Sequence, residues 1–405
     1  MNNEKIKVGV ITMYYGNSNY GACLQAYALP AVINKMGFDC EQISFTFRNQ
    51  SGTSLKQKIK ETIKNYGVTK TVRIINEACR QKIRKEIDIV TGVTSKINMR
   101  NQAVANFREQ FIPHSSRIYS NQEIGQCDGY DAYVCGSDQI WRIGWGYLNP
   151  GFWLSFVHDG GKKISYAASI SMNEIPEEEC TLVRKALEDY TFISVREYQG
   201  KKILDKILQE EYKVEWVVDP TLLLDKSEWE EIASENPYKS ERYIFAYLLG
   251  DKIKDRQSIM KYAYAHNMKV ITIPFLLGEY RSCDKTFGDI QIADVSPQLF
   301  LSLIRDAEYV VTDSFHGTVF SLIFHTKFWC LKRSTDSSKG SMNSRIYSLL
   351  DLCECDKRVV ENKDLISDNN KEKEIDFSKI DEIISSERIR CKELLYQALS
   401  KGGNK

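Results

Sequence analysis

IKVGVITMYYGNSNYGACLQAYALPAVINKMG, residues 6–37, passes from a β-branched apolar run through a polar, glycine-bearing loop into a helical pattern that stops at Gly37. The run IKVGVIT has the near-continuous apolar character of a strand covered on both faces, as in a parallel sheet. Strand, loop and helix in that order make a βα unit, and Pro30 is expected to kink the helix.

The same rhythm continues downstream. Strand-like segments recur at YDAYVCG (130–136), KISYAAS (163–169), TFISVRE (191–197) and VEWVVDP (214–220), with helical stretches between several of them. A second series holds YIFAYLLG (243–250), KVITIPF (269–275), the helix SPQLFLSLIRDA (296–307) and the strand EYVVTDS (308–314). Between the two series lies the polar stretch DKSEWEEIASENPYKSER, 225–242, which sets a division near residue 235. The chain of 405 residues is too long for one ordinary core. The expected architecture is therefore α/β, with two Rossmann-like lobes (1–235 and 236–377) around a central cleft. The remainder, 378–405, is a helix and tail, with Ile380, Ile383, Ile384, Leu394, Leu395 and Leu399 on an apolar stripe that docks it.

One stretch of the first lobe departs from this rhythm. From 51 to 100 there are 12 Lys and Arg against 4 Asp and Glu, and the segment reads as a basic helical insertion near 51–105. Its charge could meet an anionic polymer or lipid headgroups; the plainer reading is a solvated helical face.

Composition excludes several classes. A formal charge of +1 supplies no global field for nucleic acid or membrane, so no nucleic-acid partner is expected. The 11 cysteines contain no C-x-x-C pair and several sit in apolar runs, which reads as reduced thiols in a cytoplasmic protein and leaves no zinc site. No signal-peptide core and no run of 18 apolar residues is present, so no membrane span is expected.

In open α/β sheets ligands bind beyond the carboxyl ends of the strands, and four such ends carry chemistry. After the first strand, Gly16 and Gly21 bracket Asn17, Ser18, Asn19 and Tyr20, which frees backbone N–H groups to face an anion. The loop has neither the Lys of a Walker motif nor dinucleotide glycine spacing, and the plainer alternative is a βα turn with Asn19 as helix cap. After YDAYVC come Gly136, Ser137, Asp138 and Gln139, suited to a carbohydrate or small acid, or simply to capping a helix. Arg196, past the strand TFISV, can hold a carboxylate or phosphate with a bidentate fork, or else form a surface pair with Glu197. Finally Ser314, His316, Gly317 and Thr318 open a helix, where an imidazole can serve as general acid or anion anchor. Ser314 lacks a G-x-S-x-G elbow and reads as a binding group. His114, His158, His266 and His325 show no metal spacing or carboxylate partner and read as structural or surface residues, so no metal is expected.

Six segments in order, NYGACLQAYAL (19–29), GSDQIW (136–141), SYAAS (165–169), ISVRE (193–197), VVDPTLLL (217–224) and TDSFHG (312–317), resemble the polysaccharide pyruvyl transferase family. The resemblance implies a fold similar to B-type glycosyltransferases. It implies an enzyme that moves a pyruvyl group from phosphoenolpyruvate, with no further cofactor, to two hydroxyls of one sugar, forming a cyclic ketal and releasing phosphate. His316 looks like the family's essential histidine and Arg196 like the arginine that holds the donor's anionic groups. Asp138 becomes a candidate base for a sugar hydroxyl, with Asn17, Asn19 and Tyr20 toward the acceptor. The acceptor would be a glycan or lipid-linked oligosaccharide of a cell-surface polysaccharide, made at the cytoplasmic face of the membrane, where the basic insertion could hold the enzyme. Competing readings are a glycosyltransferase of the same fold using a nucleotide sugar, and a non-catalytic glycan-binding protein.

Overall fold

The computed structural model describes residues 5–47, 92–143, 148–158, 160–209, 211–277, 279–333, 343–361 and 374–400. The basic stretch therefore falls outside the described residues except from residue 92 onward.

The first sheet comprises β1 (Lys7–Ile11), β2 (Asp39–Thr46), β3 (His114–Ser120), β4 (Ala132–Cys135), β5 (Lys162–Ser165), β6 (Tyr190–Val195) and β7 (Val214–Trp216). Its spatial order is β3-β2-β1-β4-β5-β6-β7 and every pairing is parallel. The second comprises β8 (Tyr243–Tyr247), β9 (Lys269–Thr272), β10 (Ile290–Gln291), β11 (Tyr309–Thr312), β12 (Phe328–Leu331) and β13 (Val359–Val360). It runs β10-β9-β8-β11-β12-β13, also all parallel. Both orders are doubly wound, so each lobe is Rossmann-like and has one point where the winding reverses. β2, β3, β10, β12 and β13 extend the sheets beyond the strands expected from the sequence.

The helices are α1 (Tyr20–Lys35), α2 (Val93–Phe111), α3 (Glu177–Leu187), α4 (Tyr198–Leu208), α5 (Lys226–Ile232), α6 (Ile253–Ala265), α7 (Pro297–Arg305), α8 (Phe315–Phe324), α9 (Ser344–Leu352) and α10 (Phe377–Ser400). α1 runs unbroken through Pro30. A proline at this position cannot donate to the carbonyl of Ala26 one turn earlier, and the side-chain amide of Gln42 on β2 donates to that oxygen instead, at 2.8 Å. α2 keeps Lys96 on an exposed face, as a solvated helix would, but packs its other face inward. Arg100 is 1% exposed, donates from Nε to the Ser18 carbonyl at 3.1 Å and lies 4.2 Å over the Tyr20 ring, while Val104 and Phe107 join the core.

At each reversal of winding the two central strand ends are stitched together. In the first lobe Thr12 Oγ1 donates to the Ser137 carbonyl at 2.8 Å, and Gln25 bridges the same pair, donating to Thr12 and accepting from the Ser137 amide. In the second, Asp313 accepts from the amides of Leu249 and Gly250, both at 2.7 Å. α10 spans the lobes: Asp381 meets His325 at the end of α8, whereas Arg388 and Arg390 donate to the carbonyls of Leu222, Leu224 and Trp216 in the first lobe. Ile380, Ile384, Leu395 and Leu399 of the expected stripe are buried, together with Cys391; Ile383 and Leu394 are half-buried. Among the described residues no helix is long and apolar enough to cross a membrane.

Candidate active site between the lobes

Asp219 lies at the centre. It follows β7 and caps a short turn, its Oδ1 accepting from the amide and hydroxyl of Thr221 at 3.0 and 2.7 Å. Its Oδ2 accepts from Arg196 Nη1 at 2.7 Å and from Ser137 Oγ at 3.0 Å. From the other lobe His316 Nε2 stands 3.7 Å from Oδ1, longer than a hydrogen bond. Burial disfavours the charged carboxylate, but His316, Arg196 and Thr221 outweigh it and hold Asp219 well below the usual carboxylate range.

Arg196 leaves β6 and is 4% exposed. Besides Asp219, its Nε meets Glu197 at 3.5 Å, its Nη2 stands 3.5 Å from Asp138, and its guanidinium lies 4.4 Å over the ring of Phe315 on α8. Burial opposes its charge, yet the carboxylates of Asp219, Glu197 and Asp138 keep it more firmly protonated than an ordinary arginine. The surface pairing with Glu197 is thereby corrected. Glu197 is 2% exposed and also receives the Ser169 hydroxyl, so the pair is interior.

Arg345 of α9 comes within 4.0 Å of the Asp138 oxygen that Arg196 also approaches. Burial and the repulsion of Arg196 push it down to about 10. Three atoms of the cluster are shielded and lack a hydrogen-bond partner among the described residues: the nitrogens Arg196 Nη2 and His316 Nε2, and the carboxylate oxygen Glu197 Oε2. Buried donors left unmatched are costly, and in a concave site they mark where a ligand's oxygens belong.

Glycines shape this centre by what they omit. Gly136 has φ +135°, and a Cβ there would lie 1.9 Å from the Tyr166 carbonyl. Gly21 lets the first turn of α1 close on the imidazole of His316 from the facing lobe.

Of the residues expected at the site, Arg196, His316, Asp138, Ser137, Gly136 and Gly21 converge. Gln139 follows as a half-buried neighbour of Asp138. Others have different roles. Tyr20 is fully buried, stacked 4.8 Å from Phe300 beneath Arg100, and so cannot meet an acceptor. Asn19 caps α1 by accepting from the Ala22 amide at 3.2 Å. Gly16 and Asn17 line a separate cavity of about 340 Å3 with Asn101 and Arg108 of α2 and Leu277 of the second lobe. Ser314 caps α8 through the Gly317 amide, Gly317 packs on Thr312, and the Thr318 hydroxyl turns inward to Ser314 and Cys330. Two histidines read as unpartnered do have carboxylates: His325 with Asp381 at 2.9 Å and His114 with Glu109 at 3.4 Å. Among the described residues no cluster of His, Cys, Asp or Glu could hold a metal ion.

Asp219 and Arg345 were not singled out from sequence, and Glu197 was named only as a surface partner of Arg196. Asp219 lay in the quoted VVDPTLLL, where an aspartate before proline reads as a turn residue; Arg345 belongs to no motif.

A two-lobed α/β protein with a charged cluster shared between its lobes is the class that geometry defines. The profile of the polysaccharide pyruvyl transferase family matches residues 19–335, and the chain belongs to that family. A sugar acceptor and a pyruvyl donor are what the family implies in general. No curated protein matches the sequence. Among solved structures the chain is similar to the UDP-GlcNAc 2-epimerase of Methanocaldococcus jannaschii, with 11% identity, TM-score 0.46, and 94% of this chain and 99% of that one covered. It is similar to a putative UDP-N-acetylglucosamine 2-epimerase from Listeria monocytogenes, with 11% identity, TM-score 0.45 and coverages of 89% and 90%. For the glycosyltransferase SnogD from Streptomyces nogalater the identity is 11%, the TM-score 0.40, and both coverages are 96%. Likeness at this level says nothing about substrate.

Proposed function

We propose that the protein transfers a pyruvyl group from phosphoenolpyruvate to two hydroxyls of one sugar in a cell-surface polysaccharide or its precursor, forming a cyclic ketal and releasing phosphate. One observation carries this reading: Arg196 and His316, from opposite lobes, flank Asp219 and each present a buried nitrogen with no hydrogen-bond partner among the described residues. A small polyanionic donor bearing both carboxylate and phosphate would supply acceptors to both.

In this scheme Arg196 holds an anionic group of the donor and His316 delivers a proton to the methylene carbon while a sugar hydroxyl attacks the adjacent carbon. Asp138 takes the hydroxyl proton. The carbon–oxygen bond to phosphate then breaks, and the second hydroxyl adds to the same carbon. Of the two hydroxyl protons lost overall, one ends on the new methyl group and one on the departing phosphate. Because both unpartnered nitrogens are shielded, the donor reaches them only when neighbouring side chains or the lobes shift.

The test is phosphate release on incubation with phosphoenolpyruvate and glycan acceptors, with His316→Ala alongside. A loss of at least about 100-fold is expected for that variant; a loss below about tenfold removes His316 from the chemistry. Thermal stabilisation by uridine diphosphate but not by phosphoenolpyruvate would favour a nucleotide-sugar transferase instead.

A further inference from the structure

A groove of about 430 Å3 runs along the seam of the lobes, next to the Arg196 cluster. Its aromatic members are Tyr198 and Trp216 of the first lobe and Tyr347 of α9. Its polar members include Asn173, Gln199 and Asp351. We propose that this groove binds neutral sugar units of a glycan chain, as the acceptor subsite. That these sugars are the acceptor rests on the pyruvyl-transfer reading; that the groove binds sugars does not.

The chemistry of the lining selects the occupant. Among the described residues no lysine or arginine lines the groove and its one charged lining residue is Asp351, which disfavours a phosphate or carboxylate; Lys202, outside the lining, lies 4.6 Å from the centroid of the Tyr198 ring. Pyranose rings present an apolar face of C–H bonds for aromatic side chains and a rim of hydroxyls for amides and carboxylates, which is the mixture found here. The volume lies within the usual range of about 300–1,000 Å3 for small-ligand pockets. Tyr198 remains 46% exposed although Trp216 packs against it, with ring centroids 5.5 Å apart.

The groove is also tied to the charged cluster. The indole N–H of Trp216 donates to the carbonyl of Arg196 at 3.0 Å, so the residue that would hold the donor also positions the aromatic platform. Trp216 and Ser348 face both the groove and a small cavity of about 20 Å3 against Arg196, Asp219 and Arg345. The Tyr198 amide donates to Ser348 Oγ at 3.2 Å, closing the seam at this point. A glycan lying in the groove would therefore lead toward Arg196 and Arg345.

The full-length protein is applied to an array of bacterial surface oligosaccharides, with Tyr198→Ala and Asp351→Ala as groove variants and Tyr264→Ala, at an 88% exposed site on α6, as control. Calorimetry with phosphoenolpyruvate and thermal melts accompany each protein. Expected is retention of a set of glycans by the parent and control, weakened about tenfold or more in both groove variants, with phosphoenolpyruvate affinity and melting temperature unchanged. The inference is overturned if the parent retains no glycan, if the groove variants retain glycans as the parent does, or if phosphoenolpyruvate affinity falls in step with glycan binding. Groove-dependent glycan binding in a parent that ignores phosphoenolpyruvate would sustain the groove and sink the pyruvyl-transfer reading.

Discussion

A Cβ placed on Gly21 would lie 2.0 Å from Nδ1 of His316, so the first turn of α1 in one lobe is in direct contact with the imidazole of the other. Glycine is needed here for room, not for loop freedom. Elsewhere in a helix Gly→Ala is favourable by about 1 kcal/mol. Gly21→Ala should instead destabilise by about 1–3 kcal/mol through overpacking, and a displaced imidazole should cost about 100-fold in phosphate release. Calorimetric melting and a turnover assay measure the two effects; a stabilised, fully active variant would show the contact to be slack.

Asp219 links charge to pH. Its carboxyl is held well below the usual range in the folded state, so the stability it adds is present above its unfolded pKa and is lost as pH falls toward the folded value. Asp219→Asn leaves the guanidinium of Arg196 short of its nearest counter-charge, at a cost of about 3–5 kcal/mol. Urea unfolding from neutral pH downward should show the gap between parent and variant constant above about pH 4 and narrowing below it. A gap independent of pH would mean that hydrogen-bond geometry, and not ionisation, is what Asp219 supplies.

Arg345 should show opposed effects on stability and function. Its charge is disfavoured by burial and by Arg196. Arg345→Met, similar in length and neutral, is expected to leave the melting temperature equal or higher. Phosphoenolpyruvate binding by the same variant should weaken about tenfold or more, some 1.4 kcal/mol. Unchanged affinity would confine Arg345 to a structural part.

Pro30 and Gln42 form a testable pair. Gln42→Ala strips the Ala26 carbonyl of its donor and should cost about 1–3 kcal/mol. In a Pro30→Ala background the restored backbone N–H can take over that oxygen, so the same change should cost less. A double-mutant cycle by chemical denaturation reads the difference, and strict additivity would exclude the compensation.

Much of the fold was legible because buried parallel strands announce themselves as apolar runs, as YIFAY and AYVC do. The strand Asp39–Thr46 was not, since its polar residues interrupt the run, and the edge strand β3 carries exposed positions along HSSRIYS. Arg196 and His316 were legible from their place after a strand and at a helix start. Tyr20 was misplaced because a tyrosine beside a glycine-rich loop looks available, whereas Phe300 and Arg100, far away in sequence, enclose it. The same reason hid Arg345: only the folded chain brings α9 beside Asp138.

The loop carrying Asp219 is gripped by Arg388 and Arg390, which hold the carbonyls of Trp216, Leu222 and Leu224 from as much as 174 positions downstream. During synthesis the ribosome must therefore deliver α10 before that loop can take its final form. Catalytic competence would then arrive late in translation, well after both sheets have been made, and a chain released before residue 388 would carry the lobes without a finished centre.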